Sequence, residues 1–146
     1  MKARSTTMPR YHKPPLITDA QRRVFSQIVA LLRPYAKRLD NRINSPERFE
    51  LWTRHNFRSQ SMNPKNKRGV LFGGALILKE DVGFYFYPLH LDPTFINKVD
   101  EAIMVFYKGG SAFRFEETLS EIAIEKFHQL LLEGWRYYQQ NTWVSD

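Results

Sequence analysis

Apolar and polar positions follow two different periods along this chain, and the places where the period changes mark the elements. Val24, Phe25, Ile28, Leu31, Leu32, Tyr35 and Leu39 recur at three- and four-residue spacing. That spacing predicts one buried face of an amphipathic helix. Thr18 and Gln21 form a capping box at its start, with Asp19 favoured by the helix dipole. Pro34 removes a backbone donor, so the helix should kink or restart there.

From Arg48 to Arg54 the period drops to two. Phe49, Leu51 and Thr53 take one side, and Glu50, Trp52 and Arg54 the other, which predicts a half-buried strand. A polar, basic stretch from His55 to Gly69 reads as a long hairpin loop. Val70 to Leu78 is the next strand, in which Gly73 and Gly74 suggest a bulge or a close approach. After the Lys79-Glu80-Asp81 turn, Val82, Phe84 and Phe86 alternate with Gly83, Tyr85 and Tyr87, and Pro88 ends the ladder.

Asp92 and Pro93 open a helical segment running to about Tyr107, in two pieces broken near Asp100 and stopped by Gly109 or Gly110. Ser111 to Phe115 is a short strand. Thr118 with Glu121 caps a last helix, whose stripe is Ile124, Phe127, Leu130, Leu131, Gly134, Trp135 and Tyr138. This order predicts an α+β two-layer sandwich: an antiparallel sheet with the N- and C-terminal helices packed on one face.

Length and charge refine the picture. A chain of 146 residues suits one domain. Residues 1–16 read as a disordered basic tail and residues 17–146 as the domain. There is no cysteine, which excludes disulfides, thiolate nucleophiles and cysteine zinc sites. No apolar run is long enough to span a bilayer, and a reducing cytoplasm is the expected location. The net charge of +7 is unevenly spread: residues 1–70 hold 16 Lys/Arg and 4 Asp/Glu, residues 71–146 hold 6 and 11. Such a split can bring an anionic partner to one side or let the two halves attract.

Catalytic motifs do not emerge. The histidines His12, His55, His90 and His128 fall in no metal-binding spacing, and there is no nucleophile elbow or phosphate loop. No cofactor is expected. Four places invite a ligand. The Lys108-Gly109-Gly110-Ser111 loop offers a charge, a hydroxyl and exposed backbone N–H groups to an anion, or is simply a helix stop. Tyr85 and Tyr87, with Trp52, line a ligand or partner surface if their side of the sheet is uncovered. Arg54, Arg58, Lys65, Lys67 and Arg68, with Phe57 among them, suit single-stranded nucleic acid, or form a soluble loop. Glu117, Glu121 and Glu125 could hold a hard cation, or form a solvated helix face.

The run GVLFGGALILKEDVGFYFYPLHLDP, then YKGGSAFRFEE and a final helix ending in GWRYYQQ, resembles the bacterial YdhG-like family, a domain of unknown function with a frataxin-like fold. The resemblance covers roughly residues 18–140 by element order. It implies a turn at Lys108, Gly109, Ser111 and Phe113. Gly110 and Ala112 stand where the family often has lysine and cysteine. The frataxin likeness implies iron handling through an acidic first helix, whereas this one carries Arg22, Arg23, Arg33, Lys37 and Arg38. The expectation is therefore a small non-enzymatic binding domain for a small anion or a protein partner, monomeric or homodimeric. Iron handling and nucleic-acid binding are the alternatives.

Overall fold

The computed structural model describes residues 16–54 and 69–144. Helix α1 spans Asp19–Leu32 and opens with the expected capping box. The Thr18 Oγ1 accepts from the Gln21 N–H, and the Gln21 Oε1 accepts from the Thr18 N–H, both at 3.0 Å. Gln21 is buried, and its Nε2 donates to the Leu78 carbonyl at 2.9 Å. One polar side chain thus starts the helix and ties it to the sheet. At Pro34 the chain tightens into a 3-10 turn, Arg33–Lys37.

Six strands follow: β1 (Asp40–Asn44), β2 (Arg48–Trp52), β3 (Leu71–Ile77), β4 (Val82–Phe86), β5 (Tyr107–Gly109) and β6 (Ala112–Phe115). They form one antiparallel sheet in the order β1-β2-β3-β4-β6-β5. Between β4 and β5 lie α2 (Pro88–Leu91), a 3-10 turn (Pro93–Lys98) and α3 (Glu101–Met104). Helix α4 (Glu121–Gln140) closes the chain.

The two-layer α+β sandwich is as expected. Register puts Phe49, Ala75, Phe84 and Phe113 in one cross-strand row and Ile77, Val82 and Phe115 in another. These side chains are buried under the helices. Phe127 of α4 stands edge-on to Phe84, Phe113 and Phe115, with centroids 5.5, 5.0 and 5.5 Å away. Edge-to-face pairs of this kind add to the gain from burial. Gly134 brings α4 so close that an added Cβ would lie 2.3 Å from Phe86 Cζ.

Three expectations are corrected. The sheet has six strands, not four, because β1 and β5 are its edges. Edge strands bury little, and β1 is polar and bulged between Asn41 and Ile43, so the apolar alternation that announces a strand is missing. The last helix is capped by Ser120, whose side chain accepts from the Ala123 N–H at 3.1 Å, not by Thr118. Gln27 takes both backbone groups of Leu119, accepting its N–H at 2.8 Å and donating to its carbonyl at 3.2 Å, so the helix cannot begin earlier. Gly109 and Gly110 do not stop a helix; they turn the β5–β6 hairpin.

Thr53 and Val70 meet at the end of the β2–β3 pair. The Thr53 N–H donates to the Val70 carbonyl, and the Val70 N–H donates to Thr53 Oγ1, both at 2.8 Å. Gly69, at φ +91°, lies where a Cβ would meet the Thr53 carbonyl oxygen at 2.3 Å.

Candidate binding face of the sheet

Both long helices pack on one side of the sheet, and among the described residues no helix crosses the other side. Register assigns this open side its residues. Arg48, Leu76, Gly83 and Arg114 form one row across the strands. Glu50, Gly74, Tyr85, Ala112 and Gly109 form the next. Asp40 and Trp52 pair at the far end.

Tyr85 rises from a floor of small residues. Its ring leans over Gly83, where an added Cβ would lie 2.8–3.0 Å from ring atoms. Burial raises the Tyr85 phenol above its ordinary value; Arg114 and Arg48 oppose the rise and Asp81 adds to it. The group is therefore a neutral donor and acceptor across the physiological range.

Three arginines lie on this face, each on a carboxylate: Arg48 and Arg114 are close enough to act on Tyr85, and Arg42 lies by Trp52. Arg114 grips Asp81 with two bonds of 2.9 and 2.8 Å, which raises the arginine's own proton affinity. Arg48 Nε and Nη2 approach Glu50 Oε2 at 2.8 and 2.7 Å. The other Glu50 oxygen accepts from Trp52 Nε1 at 3.0 Å. Arg42 bonds Asp40 at 3.1 Å and lies 4.7 Å over the Trp52 ring. Residues two apart on a strand share a face, and Arg48 with Glu50 uses that spacing, while the β1 bulge at Arg42 turns its side chain toward Asp40 and Trp52. Stacked and bidentate guanidinium groups are held in a fixed plane. The result is a plate of two aromatic rings and three oriented arginines, close to neutral overall.

The residues expected from sequence are distributed as follows. Trp52 and Tyr85 share the open face. Tyr87 does not join them: the backbone turns helical at Tyr87 as α2 begins, and its ring stacks at 4.9 Å on His90 and packs against the core. Lys108, Gly109, Gly110 and Ser111 form the hairpin tip at the sheet edge. Gly109 and Gly110 adopt φ +107° and +57°, which the turn requires. Two turn carbonyls are already engaged, Gly110 by Tyr107 Oη at 2.7 Å and Ser111 by the Phe86 N–H at 2.8 Å. Lys108 is exposed, and nothing lies within 4 Å of where a Cβ on either glycine would be. Arg54 is exposed and donates to the Lys37 carbonyl at 3.3 Å. Arg58, Lys65, Lys67 and Arg68 lie outside the described residues. Glu117, Glu121 and Glu125 are exposed. Among the described residues no three His, Asp or Glu side chains gather in a way that could hold a metal ion.

No family model, curated protein or solved structure matches this chain. The site therefore rests on its own geometry. Sequence reasoning missed Gly83, Asp81 and Arg114, which seat and flank Tyr85. The pairing of Arg114 with Asp81 spans a turn and two strands, so only the register reveals it. No helix of the described residues is long and apolar enough to cross a membrane.

Proposed function

We propose that this chain is a non-enzymatic binding domain whose working surface is the open face of the sheet, and that the ligand docked there is another protein. One observation carries the reading: on a face that no helix of the described residues covers, Trp52 and Tyr85 stand with Arg42, Arg48 and Arg114, all three held by carboxylates. Tryptophan, tyrosine and arginine are the residues that dominate protein–protein hot spots. Their side chains are pre-ordered here, which lowers the entropic cost of association. A phosphate polymer is less suited to this face, because each arginine already has a carboxylate that the polymer would have to displace. The order of helix, antiparallel sheet and helix, with both long helices on one side, supports the likeness to YdhG-like, frataxin-like domains.

The test is site-specific photo-crosslinking in the host cell from position 85, with position 129 on α4 as control. A discrete protein adduct from position 85 alone, lost on Trp52→Ala, is expected. The same adducts from both positions, or none from position 85, would refute the reading. An adduct of twice the chain mass would identify the partner as a second copy.

A further inference from the structure

Away from the sheet face, a groove of about 700 Å³ runs along the solvent flank of α1, lined by Arg22, Phe25, Val29, Arg33, Pro34 and Pro46 among others. Its size is that of a ligand site. The floor is apolar and the two ends are cationic. Arg22 and Arg33 are eleven positions apart, about three helical turns and so about 16 Å along one side of the helix. Among the described residues neither has a carboxylate partner. This contrasts with the arginines of the sheet face. The Arg33 guanidinium is held 5.1 Å over the Phe49 ring. Arg22, with Arg23 beside it, sits near the helix N-terminus, where the dipole is already positive and cations are disfavoured. A guanidinium thus stands at each end, with apolar surface between.

We infer that this groove receives an acidic peptide segment of a partner protein, lying extended along α1. Its two carboxylates sit on Arg22 and Arg33, and its apolar side chains lie on Phe25, Val29 and the two prolines. In an extended chain 16 Å is about five residues, so carboxylates four or six residues apart, which share a face, fit the two arginines. Charge complementarity selects the occupant. A nucleic-acid strand carries a charge at every nucleotide and would set several phosphates over the apolar middle with no cation. An acid–apolar–acid peptide places its charges only at the ends. The inference does not depend on the sheet face.

Fluorescence anisotropy on the full chain tests it. The probe is a labelled set of penta- and heptapeptides with glutamate at both ends and Leu, Phe, Val or Pro between. Competitors are the same peptides with glutamine ends, the same with serine between, and an oligothymidylate. The glutamate peptides should bind, and both altered peptides should compete poorly. Arg22→Gln and Arg33→Gln should each weaken binding about tenfold, as loss of a charge-assisted bond does. Ser26→Trp should fill the groove from an exposed position and abolish binding, while the fold, followed by circular dichroism, is unchanged. Arg136→Gln on α4 should have no effect. The inference is overturned by any of three results: no binding of the glutamate peptides, equal competition from the glutamine set, or arginine-dependent binding of the oligothymidylate alone.

Discussion

Replacing Gly134 with alanine sets two well-measured effects against each other, and the structure decides the sign. Alanine is favoured over glycine in a helix interior by about 1 kcal/mol. The new methyl, however, would lie 2.3 Å from Phe86 Cζ, 2.9 Å from its Cε1 and 3.1 Å from Pro88 Cγ. Carbon atoms rest at about 3.5–4.0 Å, so α4 and the ring must part by more than about 1 Å. The ring has no room to give: Phe86 is fully buried, with Phe72, Phe84 and Phe95 centroids 5.8, 6.0 and 5.9 Å away. Overpacking of this kind costs about 1–3 kcal/mol, and a clash this close belongs at the upper end. The expected net loss is about 1–2 kcal/mol, or about 2–8 °C in melting temperature for a chain of this length. Thermal melts and urea titrations followed by far-ultraviolet circular dichroism measure it. Phe86→Leu withdraws the ring edge, so its combination with Gly134→Ala should destabilise by less than the sum of the two single changes. A melting temperature equal to or above that of the native chain would refute the close-packing argument, since helix propensity alone predicts a rise.

Gly83→Ala should lift the Tyr85 ring off the sheet at a cost below about 1 kcal/mol, because the clash is with the mobile end of a side chain. The Tyr85 phenol, raised by burial, should then titrate lower, read as a tyrosinate difference spectrum against Tyr85→Phe. Gln27→Ala removes both bonds to the Leu119 peptide groups and should lower stability by about 1–2 kcal/mol, seen as a shifted urea midpoint with unchanged slope. Burial pushes Tyr35 up to about 12 and raises Tyr138 well above the ordinary phenol value. A folded-state value above the unfolded one means stability is full below about pH 10 and falls as pH rises toward 12. Melting temperatures from pH 8 to 11 should be flat and then decline, and Tyr138→Phe should make the decline shallower; a curve that stays level past pH 10 would contradict it.

The sheet's interior was legible in the chain because burial enforces alternation. Phe49, Leu51 and Thr53, then Val82, Phe84 and Phe86, could be assigned a side from spacing alone, and the structure buries all six. The helix stripes were legible for the same reason. What failed lay where burial gives no signal. Asp40–Asn44 is held by pairing and by the Asn41 amide, which donates to the Ile43 and Glu50 carbonyls at 2.9 and 3.1 Å. The Thr118 cap failed because a distant glutamine engages Leu119. Tyr87 was expected on the open face by parity, but parity ends where the backbone turns helical. The floor under Tyr85 was half visible, in that Gly74 stood out, with Gly73, as a glycine in a strand, while Gly83 did not. The arginine–carboxylate pair across the turn was not. The α1 groove was foreshadowed only as an excess of arginine.

The Thr53–Val70 neck has a consequence for how this domain can vary. The paired bonds between Thr53 and Val70 fix the two chain ends at one place on the sheet. Doubling the length enclosed by such a gate costs only about 0.6 kcal/mol of closure entropy. A change in length between residues 54 and 69 should therefore leave the β2–β3 register in place, provided Thr53 and Gly69 stay. The same gate makes Thr53 and Gly69, rather than the strands they join, the positions where a change would unfasten this edge of the β2–β3 pair.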